Sequence, residues 1–388
     1  MRTPEEAERD LRALPGGGRV LDAVAATPGA WVVGGAVRDA LLGAVPGELD
    51  VVLAPPTGVG DLAAFARTLG AALDEHHERF GTATLTLPEG LRVDLACARR
   101  ERYPDPGALP EVEPADAAAD LARRDVSVNA IALRPGEPLR AVAGAPADLA
   151  TGVLRVLHPG SFVDDPTRLW RVGRYAARLG FTVAAGTAAL AAAADPATAS
   201  GPRHGSELRR TLAEADPVAA LTATLTLAPA LFPDGFAPRP AADALALLPP
   251  GEGRPELVVL ARACAGVEAT ALLTWLDELG LTAAERTVVG AGSRAVTLHP
   301  LRRAGDAVAI ARAARGTPVE VVALAGGVGA RRWIDELRHV RLEIGGDDLL
   351  AAGVPAGPEL GARLQRALDA RLAGRASSRE EQLSVALS

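Results

Sequence analysis

The period of apolar and polar positions changes several times along the chain, and the changes divide it. Residues 3–27 read as helices interrupted at Pro15-Gly16-Gly17-Gly18. A short apolar run at 31–33 reads as a strand and ends in Gly34-Gly35. A helical stretch over 36–42 begins at once, is broken by Gly43 and Pro46-Gly47, and is followed by a second strand over 49–53. Next come an amphipathic helix over 61–73 and two strands, 79–87 and 91–98, around Pro88-Glu89-Gly90, a hairpin signal. Residues 99–118 are rich in proline and charge and read as a long mobile loop. Residues 141–157 read as a connector with one short strand, and 161–181 as an amphipathic helix. From there the pattern is helical and alanine-rich, over about 183–195, 203–225, 238–248, 255–264, 266–278 and 282–294. A last helical unit runs from about 302 to the end. The pattern predicts a multidomain α+β chain, mixed at its start and helical afterwards.

The densest chemistry lies between residues 31 and 50. Glu48 and Asp50 are two apart at the start of a strand, so both point to one face and can share a divalent cation. Gly34 and Gly35 open a helix, where a phosphate chain can approach backbone N–H groups. Arg38 can pair with phosphate oxygens. Each part alone is ordinary, since a Gly-Gly after a strand is most often a turn. Together they suggest a triphosphate site facing a metal site. Further on, Asp94 alternates with apolar Val93 and Leu95 and reads as an exposed strand carboxylate. In the stretch 120–133, Leu121, Val126, Val128 and Ile131 supply an apolar side. Arg123, Arg124, Asp125 and Asn129 supply donors and an acceptor for a ribose and phosphates. In 161–181, Asp164 or Asp165 can cap a helix with Pro166 in its first turn. Arg168, Arg171, Arg174 and Arg178 then share roughly a third of its circumference.

Composition narrows the classes. At 388 residues the chain exceeds one compact core, and two to four modules are expected. Every basic side chain apart from histidine is arginine, and the net charge is −7, so a nucleic-acid partner must be held by local arginine patches. The two cysteines, Cys97 and Cys264, lack C-x-x-C spacing, which argues against a disulfide framework or a zinc site and fits a reducing cytosol. No stretch has the length of a membrane span, and the acidic start is no signal peptide. His76, His77, His158, His204, His299 and His339 show no metal-phosphohydrolase spacing.

The Gly-Gly-x-x-Arg-Asp element at 34–39, followed by a carboxylate pair at 48 and 50, resembles the signature of the bacterial class II poly(A) polymerase/tRNA nucleotidyltransferase family. There the pair is Asp-x-Asp; this chain has Glu48 first, still a hard oxygen ligand suited to Mg²⁺. The Arg-Arg-Asp-x-x-x-Asn-Ala string at 123–130 and the Asp-Asp-x-x-Arg string at 164–168 resemble two further family motifs. The likeness is strongest over 30–181, and it extends to 203–235 and 342–385. A departure lies at Val142-Ala143-Gly144, where similar proteins carry an aromatic-Gly-Gly turn.

The resemblance implies a polymerase-beta-like nucleotidyltransferase head at 1–140, a helical neck at 141–235, a body at 236–300 and a tail at 301–388. It implies two Mg²⁺ ions held by Glu48 and Asp50, with Asp94 a third catalytic carboxylate that helps deprotonate the attacking hydroxyl. Gly34, Gly35 and Arg38 would hold the triphosphate. Arg124 would contact the nucleotide, and Asp125 and Asn129 would shape the ribose pocket. Asp165 and Arg168 would be a protein template for the base, with Arg171 and Arg174 nearer the phosphates. The implied activity is template-independent addition of C, A or both to the 3′ end of tRNA from CTP and ATP, in the cytoplasm. Poly(A), A-only or CC-only addition is the nearest rival, and a catalytically weakened RNA-binding relative is the other.

Overall fold

A mixed sheet forms near the start of the chain and carries most of the polar residues singled out above. The computed structural model describes residues 1–55, 61–77, 81–298 and 300–388; His299 and the first residues of the strand expected from 79 lie outside them. Among these residues the strands are β1 (Ala30–Val33), β2 (Glu48–Leu53), β3 (Glu75–His77), β4 (Thr82–Thr86), β5 (Arg92–Cys97), β6 (Arg99–Arg102), β7 (Glu111–Pro114), β8 (Ile131–Leu133) and β9 (Arg140–Ala141). The large sheet runs β3-β4-β5-β2-β1-β8-β9. The β2–β5 pairing is parallel and the others are antiparallel.

The two faces of β2 differ. Leu49 and Val51 are fully buried on one face; α2 (Gly17–Ala26), α3 (Gly35–Leu42) and α4 (Asp61–Thr68) pack against the strands, and α1 (Pro4–Ala13) packs on α2 and α3. Glu48, Asp50 and Val52 share the other face. Further along it, Trp31, Val33, Val52, Ala130 and Ala132 form an apolar cluster with Leu121 of α5 (Ala117–Ala122). One end of this face is therefore sealed by apolar packing and the other is left polar. The sequence places α1 well: Thr3 and Glu6 close a capping box around Pro4. It places α4 too long, because Gly70 adopts φ +67° and stops the helix.

The stretch 99–118 is a paired hairpin in the structure. β6 and β7 are antiparallel with Arg99 opposite Pro114 and Arg102 opposite Glu111, and α5 follows directly. The expectation of a long mobile loop is corrected there: Arg102 pairs with Glu111 across the two strands, a cross-strand stabilisation that proline-rich composition hides, while Arg99 pairs with Glu101 along β6.

After the sheet come α6 (Ala145–Thr151), α7 (Ser161–Asp164), α8 (Arg168–Leu179), α9 (Ala185–Ala192), α10 (Gly201–Leu212) and α11 (Pro217–Leu227), with β10 (Val153–Leu154) paired to β11 (Thr182–Val183). The long helix α8 starts at Arg168, later than the sequence suggests, and Pro166 lies in the turn before it. The single helix expected over 203–225 is two, because Asp216 caps Ala219 and Pro217 opens a new first turn. α8 and α11 approach closely at Gly173, where a Cβ would run into Thr224.

The chain divides into two units, Met1–Leu231 and Phe232–Ser388. The second is helical. Pro255–Ala263, Ala283–Leu298 and Val319–Ala325 pack together around buried Val258, Leu260, Val289 and Val322. Gly346–Ala351, Pro358–Leu372 and Arg379–Leu387 enclose Leu349, Ala367 and Ala386.

Candidate active site

The polar end of the sheet opens into a cleft of about 1030 Å³, at the upper end of the usual range for ligand sites. Eleven arginines and eight carboxylates line it. The wall thus carries an excess of positive charge in a chain whose net charge is −7, a local field suited to an anion.

Its floor is a row of carboxylates. In the parallel β2–β5 register Asp50 lies opposite Asp94 and Glu48 opposite Arg92. The register brings Asp94, 44 positions along the chain from Asp50, onto the face that the i, i+2 spacing gave to Glu48 and Asp50. Asp94 accepts from Thr84 Oγ1 at 2.7 Å across β4. Burial, with Glu48 and Asp94 adding their charge and Arg124 opposing, pushes the Asp50 carboxyl up to about 6. Among the described residues no three His, Cys, Asp or Glu side chains are gathered as a ready metal cage. The donor set is nevertheless what a hard divalent cation requires: carboxylate oxygens whose mutual repulsion a cation relieves.

The Gly34-Gly35 turn faces this row. Gly34 has φ +74° and ψ −134°, a conformation for glycine, and a Cβ there would sit 2.6 Å from Arg124 Nη1. Arg124 is anchored through Nη2 to Asp120 at 3.1 Å, while its buried Nε has no hydrogen-bond partner. Asp120, itself 1 % exposed, also holds Arg123. An unsatisfied guanidinium donor beside a glycine turn at the start of α3 fits an anionic ligand.

Arg38, expected to hold the triphosphate, lines the cleft and is already engaged by neighbouring side chains. It is 2 % exposed, donates from Nε to Asp39 at 2.7 Å and from Nη1 to Asn129 Oδ1 at 2.6 Å. Asn129 Nδ2 in turn donates to Asp125 Oδ1 at 3.0 Å, and Arg171 Nε donates to Asp125 Oδ2 at 2.7 Å. Burial alone would raise Asp125, but Arg171 and Asn129 override it and hold the carboxyl well below its ordinary range. Asp39, Arg38, Asn129, Asp125 and Arg171 thus form one chain of charge-assisted hydrogen bonds along the cleft wall. Arg171→Met should leave Asp125 buried and uncompensated, at a cost of about 3 kcal/mol. Arg171→Met/Asp125→Asn should recover most of it, as read by urea unfolding.

The arginines of α8 are buried to different degrees: Arg168 and Arg174 are buried, Arg171 is half-buried and Arg178 is exposed. Arg174 Nη1 donates to Glu207 at 2.7 Å, and Glu214 lies 3.2 Å from its Nε, near enough for charge pairing though not aligned as a hydrogen bond. Arg178 pairs with Glu214. Arg38, Arg171, Arg174 and Arg178 stand around the buried ring of Tyr175, their guanidinium carbons 5.6 to 5.9 Å from its centroid. Tyr175 is a site residue that sequence reasoning passed over, because an aromatic on an amphipathic helix reads as core.

Asp165 and Arg168 are close to each other and both are braced. Asp165 Oδ1 accepts from Thr167 N at 3.0 Å, Thr167 Oγ1 at 2.6 Å and Arg203 Nη2 at 2.9 Å. Arg203 Nη1 also donates to the Gly107 carbonyl in the β6–β7 connection. Arg168 donates to Ser161 Oγ at 2.9 Å and to the Arg123 carbonyl at 2.9 Å. Arg203 was not singled out from the sequence, and only its fold neighbours show its place. The arrangement offers a carboxylate and a planar donor fork, held rigidly, in the wall of the cleft that also holds the acidic row.

Residues 30–155 match the poly(A) polymerase head domain family. An A-adding tRNA nucleotidyltransferase of Geobacter sulfurreducens is 32% identical over 418 residues, covering 92% of this chain and 44% of that protein. A CC-adding tRNA nucleotidyltransferase of Deinococcus radiodurans is 49% identical over 152 residues, 38% of this chain and 40% of that one. A Thermotoga maritima CCA-adding enzyme, solved in complex with tRNA, superposes with a TM-score of 0.73 at 26% identity, covering 100% of this chain and 98% of that one. Residues 30–155 belong to the poly(A) polymerase head domain family, and the whole chain shares the fold of the CCA-adding enzyme. The chain spans less than half the length of the two curated relatives. These likenesses account for the fold class as well as the motifs, a mixed-sheet head followed by helices.

Proposed function

We propose that this chain is a template-independent nucleotidyltransferase that extends the 3′ end of tRNA with C, A or both, using CTP and ATP. The observation that carries the reading is the in-register row of Glu48, Asp50 and Asp94 on one sheet face, opposite the Gly34-Gly35 turn and Arg124. The names of the relatives point the same way. In this reading Glu48 and Asp50 would hold a divalent cation such as Mg²⁺, which when bound would supply positive charge to offset that of the α-phosphate and of the 3′-hydroxyl as it ionises. Asp94, oriented by Thr84, stands where it can accept the hydroxyl proton. Gly34, Gly35 and Arg124 bind the triphosphate, and Arg38 acts through Asn129 and Asp125 to shape the ribose pocket. Asp165 and Arg168 read the base. Arg171 and Arg174, already paired with carboxylates, set the field of the phosphate end rather than chelating it.

We assign residues 1–140 to the catalytic head, 141–235 to a neck that binds base and RNA, 236–300 to a body and 301–388 to a tail that tracks the tRNA. The compartment is the cytoplasm. No helix among the described residues is long and apolar enough to cross a membrane, and Cys97 and Cys264 are free thiols.

The test is incubation with tRNA transcripts ending before C, CC and CCA, with labelled CTP and ATP supplied separately. Extension of only one transcript class assigns CC or A addition. Long A tracts assign poly(A) synthesis, and no extension with any of them removes the reading. Glu48→Asp should keep or raise the rate in this assay, since it restores the shorter ligand of the family. A dead variant would show a site adapted to the longer side chain.

A further inference from the structure

We propose that Arg92 competes with the divalent cation for Glu48 and Asp94, acting as a built-in counter-ion that the cation must displace. The inference rests on the metal reading above and adds a residue that no motif contains. The β2–β5 register sets Arg92 directly opposite Glu48, and alternation along β5 puts it on the same face as Asp94. Its guanidinium grips Asp94 with two contacts, Nε to Oδ1 at 3.2 Å and Nη2 to Oδ2 at 3.3 Å, and its Nε is 3.7 Å from Glu48 Oε2. A single positive group therefore spans the outer two members of the row. Asp50, the innermost, receives no hydrogen bond from it and has Arg124, and more weakly Arg171, as its cationic neighbours. A cation seated on Asp50 can add a second carboxylate only by sharing Glu48 or Asp94 with Arg92.

The geometry also lets Arg92 yield. Its side chain is 55% exposed and that of Glu48 53%, so the pairing is a solvent-screened one of small strength. Asp94 keeps its orientation when Arg92 leaves, because Thr84 Oγ1 holds it from the other side. Arg92 lines the same cleft as Arg124, so the displaced guanidinium stays near phosphate oxygens, to which it is well matched. Cation entry is thereby weak until a polyphosphate offers Arg92 another partner.

The experiment is a Mn²⁺ titration of the full chain without nucleotide, reading free Mn²⁺ by its paramagnetic resonance signal. Arg92→Ala should lower the dissociation constant about threefold to fivefold, the scale of one screened ion pair. Arg92→Lys, which keeps the charge but not the two-pronged grip, should fall between. Glu48→Gln added to Arg92→Ala should cancel the gain. Equal or weaker Mn²⁺ binding by Arg92→Ala, with the parent binding normally, overturns the competition and leaves the metal site standing. Failure of parent and variants alike to bind Mn²⁺ removes the metal site and the competition together.

Discussion

Asp50→Asn is expected to abolish nucleotide addition and, at pH 8, to raise the melting temperature of the unit that contains the sheet. Both follow from one position. Asp50 is enclosed between two other carboxylates and pushed up to about 6. In the unfolded chain it titrates near the ordinary 3.8. A carboxyl whose folded value lies above its unfolded one favours the fold in its neutral form. Its contribution is complete below the unfolded value and is lost as pH rises through about 6. The gap, at about 1.4 kcal/mol per unit, corresponds to about 3 kcal/mol at pH 8. Asparagine keeps the shape and removes the charge. The gain should be roughly 6–12 °C at pH 8 for a unit of this size, and it should nearly vanish at pH 4. Activity should drop by at least ~10³-fold, since the ligand set for the cation is broken. More than a tenth of the parent rate in Asp50→Asn would take this carboxylate out of the chemistry. An unchanged melting temperature at pH 8 would show that its charge is well accommodated without a cation.

The parts of this site that sequence reveals are the local ones. Glu48 and Asp50 are legible because strand alternation fixes their common face over three residues. Gly34 is legible only in combination: a Gly-Gly after a strand is most often a turn, and it is Arg38 and the carboxylate pair following within fifteen residues that single it out. Asp94 is harder: its side of the sheet follows from alternation, but its place beside Asp50 depends on β5 pairing parallel to β2, which no local pattern states. The arginines of α8 illustrate the limit most clearly. Their spacing reads as a basic stripe. Their partners Asp125, Glu207 and Glu214 come from other segments, and only these turn a basic stripe into an ionic lattice around the buried Tyr175, with Arg174 inside it and Arg178 at its exposed rim. The β6–β7 hairpin was hidden for a related reason. Proline and charge argue for a loop, yet the cross-strand pairing of Arg102 with Glu111 is specified by register, a property of two segments at once. The arginines that line the cleft balance the carboxylates only when the chain is folded, so an overall charge of −7 gives no hint of a site for an anion.

Asp165→Ala is expected to relax selection against UTP and GTP by on the order of 100-fold while weakening triphosphate binding far less. Cytosine and adenine both present an exocyclic amine beside a ring-nitrogen acceptor. A carboxylate accepts from the amine and a guanidinium donates to the nitrogen. Uracil and guanine present a carbonyl where the amine should be, and that carbonyl would face the carboxylate with both groups unpaired, a large penalty when buried. The bracing sharpens the discrimination. Asp165 Oδ1 is saturated by Thr167 and Arg203, so one oxygen, Oδ2, is left to meet the base, and it cannot swing away. Arg168 is fixed by Ser161 and the Arg123 carbonyl and cannot re-aim its remaining donors to suit a wrong base. Arg124→Ala serves as the comparison, since it removes a donor beside the glycine turn and should weaken all four nucleotides alike. Arg38→Ala would be a poorer choice, because Arg38 is buried and supports Asp39 and Asn129. Incorporation of each of the four nucleotides by the parent and the two variants decides the matter. An Asp165→Ala enzyme that keeps the parent's preference for CTP and ATP would mean that the base is chosen elsewhere, and that Asp165 serves only to tie the start of α8 to Arg203.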